Sequence, residues 1–286
     1  MSASRWGLIL SVVALAAVGV WIKWFKPPPP APPAPVEVVA EAPPPAPPPP
    51  ADYPVPPPSP QAPALPGIAD SDQPFSAALI ALPGAAPIEA WLIPDLLIRR
   101  IVVTIDNLPR DRVAVKLRPL KPVPGEFMVD TTQVGYAISA ANASRYDAVM
   151  SLLQAIDDEA LVALYFRWYP LFQQAYRELG YPEGRFNNRV VEVLDHLIAT
   201  PSISEPVPLL RPKVHYEYAE PAQETASSGR RLLWRIGREH RRALIARLIS
   251  IRARLVAGVA APAAAPAPVV TPPAAEPVVA PVAPTP

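Results

Sequence analysis

From Trp6 to Phe25 the chain reads WGLILSVVALAAVGVWIKWF, apolar on every face of a helix. Its roughly 20 residues, rising 1.5 Å each, match a ~30 Å hydrocarbon core. Lys23 is the one charge inside the run and sits near its end, where the stem snorkels. Trp6 stands at one boundary, Trp21 and Trp24 at the other, as an aromatic belt requires. The pattern predicts a transmembrane anchor within residues 1–26. A cleaved leader is the competing reading. The nearest small-x-small site, Ala40-Glu41-Ala42, is followed by Pro43, which disfavours cleavage.

The pattern changes twice more. Residues 27–66 are dominated by Pro and Ala and predict a linker, disordered or in polyproline II, at ~3.1 Å per residue. From about residue 67 to 257, apolar positions recur at helical spacing. Asp70-Ser71-Asp72 before Gln73-Pro74 predicts a capped helix start, and the helix ends near Pro83-Gly84. Pro94 is expected at the first position of a helix through DLLIRRIVVTIDN. Arg112–Pro122 alternates and reads as extended; Glu126–Asp130 and Gly135–Ser139 predict a small hairpin. Asn142–Ile156 is expected as one helix. Asp157-Asp158-Glu159 opens the next, which carries Pro170 as a kink and stops at Gly180. Glu183–Ala199 predicts another helix, Leu209–Tyr218 an extended segment, and Ala222–Val256 a helix with Gly237 as its candidate break. The fold class is therefore mainly α, with a small β-hairpin and extended segment. Residues 258–286, rich in Ala, Pro and Val, predict a disordered tail.

Composition adds little direction. The chain has 286 residues, 45 Pro, no Cys and a formal charge of +1. Zero Cys excludes disulfides, zinc–thiolate centres and thiol catalysis. The near-neutral balance points to no polyanionic partner for the whole molecule. Arg5 and the amino terminus on one side of the anchor nearly balance Lys23 and Lys26 on the other, so charge does not orient it. A short N-terminal tail and a large C-terminal domain are the layout of a signal anchor. The expectation is an N-terminus in the cytoplasm and the domain in the periplasm of a bacterial inner membrane.

Unusual residues concentrate between Leu164 and Pro201. Tyr165, Trp168, Phe172 and Tyr176 follow a 3-4-4 spacing and share one helix face. They predict either a core stripe or an aromatic groove for a peptide or glycan. Asn187-Asn188 near a helix start suit hydrogen bonding to the chain. Asn188, Arg189, Glu192 and His196 join Tyr165, Trp168 and Tyr176 as the candidate binding surface. Glu192 and His196 are four apart, whereas the Glu-x-x-His pairing of di-iron bundles needs three, so no metal is expected. No cofactor is expected either. Motifs for a nucleophile elbow, zinc peptidase, P-loop or dinucleotide fold are absent from the sequence.

The C-terminal helix is the most basic feature. Nine Arg between Arg230 and Arg254 meet one acid within that stretch, Glu239, beside a stripe of Leu and Ile. Arg231, Arg235, Arg238 and Arg242 are the candidate contacts to an anionic surface such as lipid head groups. A docked helix with a solvated Arg face is the plainer reading. Nucleic acid is disfavoured, because no aromatic stacking platform accompanies the arginines.

The stretch LYFRWYPLFQQAYRELGYPEGRFNNRVVEVLDHLIATP (Leu164–Pro201), with LLIRRIVVTIDNLPR and LLRPKVHYEYAEP, resembles an uncharacterised proteobacterial family, domain of unknown function 3014. The resemblance implies a bacterial protein with an N-terminal anchor and a linker of variable length. It implies no activity, cofactor or catalytic residue. Three functions follow as expectations. The first is a non-enzymatic binding or scaffolding module of the envelope, whose partner is another envelope protein or anionic lipid. The second is an envelope hydrolase with its site within 164–201. The third is an energy transducer of the TonB type, ranked last because Ser11 is followed by Leu15 and the anchor holds no His.

Overall fold

The computed structural model describes residues 52–58, 61–133 and 135–260. The expected anchor, most of the linker and most of the tail lie outside the described residues. Among the described residues no helix is long and apolar enough to cross a membrane.

The domain is mainly helical with one small antiparallel sheet. Its elements run α1 (Asp72–Ile80), α2 (Leu97–Asn107), β1 (Val129–Thr132), β2 (Gly135–Ile138), α3 (Asp147–Ala155), α4 (Asp158–Glu178), α5 (Phe186–Ile198), β3 (Pro208–Leu210), β4 (Glu217–Tyr218), α6 (Pro221–Glu224), α7 (Ser228–Arg235) and α8 (Arg238–Ala260). Helices α4 and α5 pack on each other and each on α2 and α8, with α1 laid against α2 and α4. Their inward faces give the main core, centred on Phe186, Leu97, Ile98 and Val102, each almost wholly buried. Burying such side chains contributes roughly 1.5–3 kcal/mol each. An apolar space of about 260 Å³ is bordered by Phe75, Ile105, Val162, Phe172 and Val190 of this core.

Local chemistry explains the helix limits. Asp157 accepts the Ala160 N–H at 2.7 Å, and Asp158 and Glu159 occupy the first turn of α4, where negative charge is favoured. Beyond Glu178, Gly180 takes a φ of 116°, which stops the helix. Pro170 is exposed and lies inside α4, which runs from Asp158 to Glu178 without a break.

Several expected boundaries are corrected. Ser71 precedes α1 but does not cap it; its hydroxyl donates back to the Ile68 carbonyl. The carboxylate of Asp72 caps a different helix instead, accepting the N–H groups of Leu96 and Leu97 at 2.7 and 2.8 Å. That grip holds Leu96 in the left-handed region (φ 53°), so α2 starts at Leu97 and Pro94 stays outside it. Residues 140–146 form 3₁₀ turns before α3, where one helix was expected from Asn142. The extended reading of Arg112–Pro122 gives way to a short 3₁₀ turn, Val115–Leu117. Gly237, at φ 84°, does separate α7 from α8.

The largest correction concerns the sheet. Val129 pairs with Ile138, as a hairpin requires, but β2 also pairs with β3 and β3 with β4. The hairpin and the distant extended segment are thus one sheet in the order β1-β2-β3-β4. A second apolar cluster, Ile138, Val207, Leu209, Tyr218 and Trp234, packs beneath it. The β1–β2 and β3–β4 pairings are local in sequence, but the β2–β3 pairing spans about 70 residues and carries no local signal.

Candidate functional site

The turn before α5 sets the geometry. Gln173, buried on α4, donates to the Gly184 carbonyl at 2.7 Å and accepts the Phe186 N–H at 2.8 Å. Tyr169 donates its hydroxyl to the same Gln173 oxygen at 2.7 Å. A Cβ on Gly184 would stand 2.9 Å from the Tyr176 ring, so this close approach needs glycine. With the turn fixed, Asn187 and Asn188 enter the first turn of α5 side by side.

Asn187 is fully buried. Its side-chain oxygen accepts the Tyr165 hydroxyl at 3.1 Å, which fixes the amide so that its nitrogen donates to the Tyr53 carbonyl at 3.0 Å. Asn188 accepts the Tyr53 main-chain N–H at 2.8 Å and donates to the Asp52 carboxylate at 3.0 Å. Arg185 Nε lies 3.0 Å from the same carboxylate. Both main-chain groups of one residue are therefore satisfied by two adjacent Asn side chains, and the acid before it is held by a cation. Pro54 follows and biases Tyr53 toward an extended backbone.

The clamp opens onto a groove of about 670 Å³ bordered by Tyr176, Arg185, Arg189, Glu192 and Asp195 as well as the docked Asp52–Tyr53. Its floor is rigid. Tyr176 stacks on Tyr181 with centroids 4.5 Å apart. Arg189 binds the buried Asp106 at 3.0 Å and the exposed Glu192 at 2.8 Å. Burial opposes the charge of Arg189, but Glu192 and Asp106 outweigh it and raise its pKa. Arg252 of α8 is fastened to Asp195 across the groove's end; that hydrogen bond is the main reason its pKa is raised, and Tyr53 adds to it.

The expected site residues separate into three groups. Tyr176, Asn188, Arg189 and Glu192 meet at the groove. Tyr165 and Trp168 belong to the core: Trp168 packs edge-on against Phe75 at 5.2 Å, and burial pushes the Tyr165 hydroxyl well above the usual phenol range. His196 lies a turn further on, with Nε2 2.7 Å from Ser227 Oγ. Ser227 is itself the N-cap of α7, accepting the Arg230 N–H, and is almost wholly buried. Ser227 Oγ thus meets both the Arg230 N–H and the His196 ring. Sequence reasoning missed Asp52, Tyr53 and Asp106. The first two sit inside a low-complexity stretch, where only the departure from Pro and Ala at Asp52-Tyr53 marks them.

The basic residues separate as well. Arg231 donates to the Glu224 carbonyl at 2.9 Å and also to that of Asp111. Arg235 lies over the Phe127 ring at 5.5 Å. Arg238 and Arg242 sit beyond the Gly237 break, on α8. On that helix Arg247 pairs with Asp158 at 3.0 Å and Arg254 with Glu159 at 3.2 Å, acids that the linear sequence places far away. Among the described residues no group of three or more His, Asp and Glu is placed to hold a metal ion.

Residues 97–252, more than half of the chain, match the model of a family described as protein of unknown function, DUF3014. The chain belongs to this family. The match begins at α2 and ends within α8, so it takes in the clamp and the groove but not the docked Asp52–Tyr53. No curated protein and no solved structure matches the chain.

Proposed function

We propose that this DUF3014 member is a single-pass envelope protein of the bacterial inner membrane, anchored through residues 6–25, whose periplasmic domain is a non-enzymatic binding module for extended polypeptide. One observation carries the reading: Asn187 and Asn188 together take the N–H and the carbonyl of Tyr53. Such a grip reads main chain, tolerates varied side chains, and gains from a segment already stiffened by proline. The Arg185–Asp52 pair adds a preference for an acid one position earlier. The resident segment stands for the class of ligand, and the partner is another envelope protein presenting an acid followed by an extended, Pro-flanked stretch. The anchor and the Pro-rich linker support placement at a distance from the bilayer.

The experiment is binding in trans. A labelled peptide covering residues 50–60 is titrated against the full chain carrying Tyr53→Pro and Asp52→Ala, which removes the clamped N–H and the paired carboxylate. The released groove binds the peptide, whereas the unaltered chain, whose own segment competes at an effective concentration on the order of millimolar, does not. Adding Asn188→Ala abolishes binding. No binding to the released chain, or binding indifferent to Asn188→Ala, rejects the reading.

A further inference from the structure

A second polar pocket lies apart from the groove, where the chain leaving α5 meets the start of α8. Ser202, Ser204, Arg238, Arg241 and Arg242 line about 530 Å³ there, beside the apolar Ile203 and Ile245. Three guanidinium groups and two hydroxyls are donors of the kind a tetrahedral oxyanion accepts. The pocket also sits at the N-terminal end of a 23-residue helix, whose macrodipole favours negative charge.

Arg241 gives the independent observation. It is 5% exposed, yet its Nη1 has no hydrogen-bond partner. Glu205 shares one carboxylate between two cations in long ion pairs, Oε1 3.7 Å from Arg241 Nη1 and Oε2 3.6 Å from Arg238 Nε, beyond hydrogen-bond distance of either. The other carboxylate nearby, Glu239, is taken by Arg242 at 3.2 Å. Further along the same helix the comparison is direct. Arg247 is mostly buried and satisfied twice, by the Ile156 carbonyl at 2.9 Å and by Asp158 at 3.0 Å. A buried donor without a hydrogen bond is costly, and an acceptor entering this cationic pocket would offset that cost.

We infer that this pocket binds a phosphate group, held by Arg238 and Arg241 with the hydroxyls of Ser202 and Ser204, and with Arg242 at the rim. Inorganic phosphate and the phosphodiester of a lipid head group share that chemistry. Ile203 and Ile245 leave room for the glycerol side of the latter. The inference does not depend on the peptide groove, which shares no residue with this pocket.

The test uses the full chain in a neutral detergent, titrated by calorimetry with inorganic phosphate and, separately, with dibutyryl phosphatidylglycerol, a soluble phosphodiester. Sodium chloride at matched ionic strength is the control. Heat of binding and a raised Tm are expected with at least one probe. Arg238→Gln and Ser204→Ala should each weaken it at least tenfold while the ligand-free Tm and far-ultraviolet spectrum stay put. Arg241→Met removes binding if it folds, and the two milder variants decide the matter if it does not. Binding of inorganic phosphate alone assigns a free phosphate ligand; binding of the phosphodiester, alone or with phosphate, assigns a lipid head group. No response above chloride, or equal binding in the Arg238→Gln and Ser204→Ala chains, overturns the site.

Discussion

Arg189 reaches back 83 positions to Asp106 and holds it twice, Nε on the carboxylate at 3.0 Å and Nη2 on the main-chain oxygen at 2.7 Å. The pair ties α5 to α2 beneath the groove. Arg110 and the Tyr181 hydroxyl complete the shell of Asp106, at 2.8 and 3.3 Å. Asp106 is almost wholly buried, and loss of Arg189 leaves it with only the half-exposed Arg110 as a cation. Arg189→Met should therefore cost about 3 kcal/mol in urea unfolding, a typical penalty for such a loss. Arg110→Ala, from a half-exposed position, should cost well under half of that.

Gly84 gives a sharper stability test. Its φ is 77°, and a Cβ there would stand 1.9 Å from the Ala155 carbonyl oxygen at the end of α3. Main chain cannot yield as a flexible side chain does. Gly84→Ala should lose more than about 1 kcal/mol from the left-handed backbone alone, with the clash in addition. A melting curve unchanged from wild type would contradict the close approach of this turn to α3.

His196 sets a pH dependence. Burial is the main cause of its lowered pKa, with Arg230 and Arg189 acting in the same direction and Glu192 against them. The neutral ring is thus favoured in the folded chain. As pH falls below the ordinary imidazole value of about 6.5, the unfolded chain takes up the proton first and the folded state loses stability. Denaturation midpoints measured from pH 7.5 to 5.0 should fall, and His196→Gln should flatten that slope. Asp95 and Glu178, whose pKa values are lowered by hydrogen bonds from Arg100 and from Gln174, act only in the more acidic carboxylate range.

Helical periodicity was the legible part of this molecule. The stripe Tyr165, Trp168, Phe172 and Tyr176 correctly marks an inward face of α4, and Gly180 and Gly237 mark real ends. What depended on distant partners was not legible. Asp72 looks like a local cap and serves α2; the arginines of α8 look unopposed and meet Asp158, Glu159 and Asp195. For the candidate site, Asn188 stands out at a helix start, Arg189 among alternating charges and Glu192 by its spacing from His196. Asp52 and Tyr53 do not, because extended chain carries no periodic signal and only tertiary contact reveals that it is held.

The proposed topology makes its own prediction. A C-terminal alkaline phosphatase fusion after residue 286 should be active in a bacterial host, and a C-terminal green fluorescent protein fusion exported through the general secretory route should be dark. The opposite pattern would put the domain in the cytoplasm and remove the envelope partner from the account.

The most direct measurement is amide hydrogen exchange at Tyr53 in the full chain. Its N–H donates to Asn188, so it should exchange at least tenfold more slowly than an unprotected amide and return to the free-chain rate in Asn188→Ala. Exchange at the free-chain rate in the unaltered protein would show that the two asparagines do not hold this segment, and the account of the groove would fall with it.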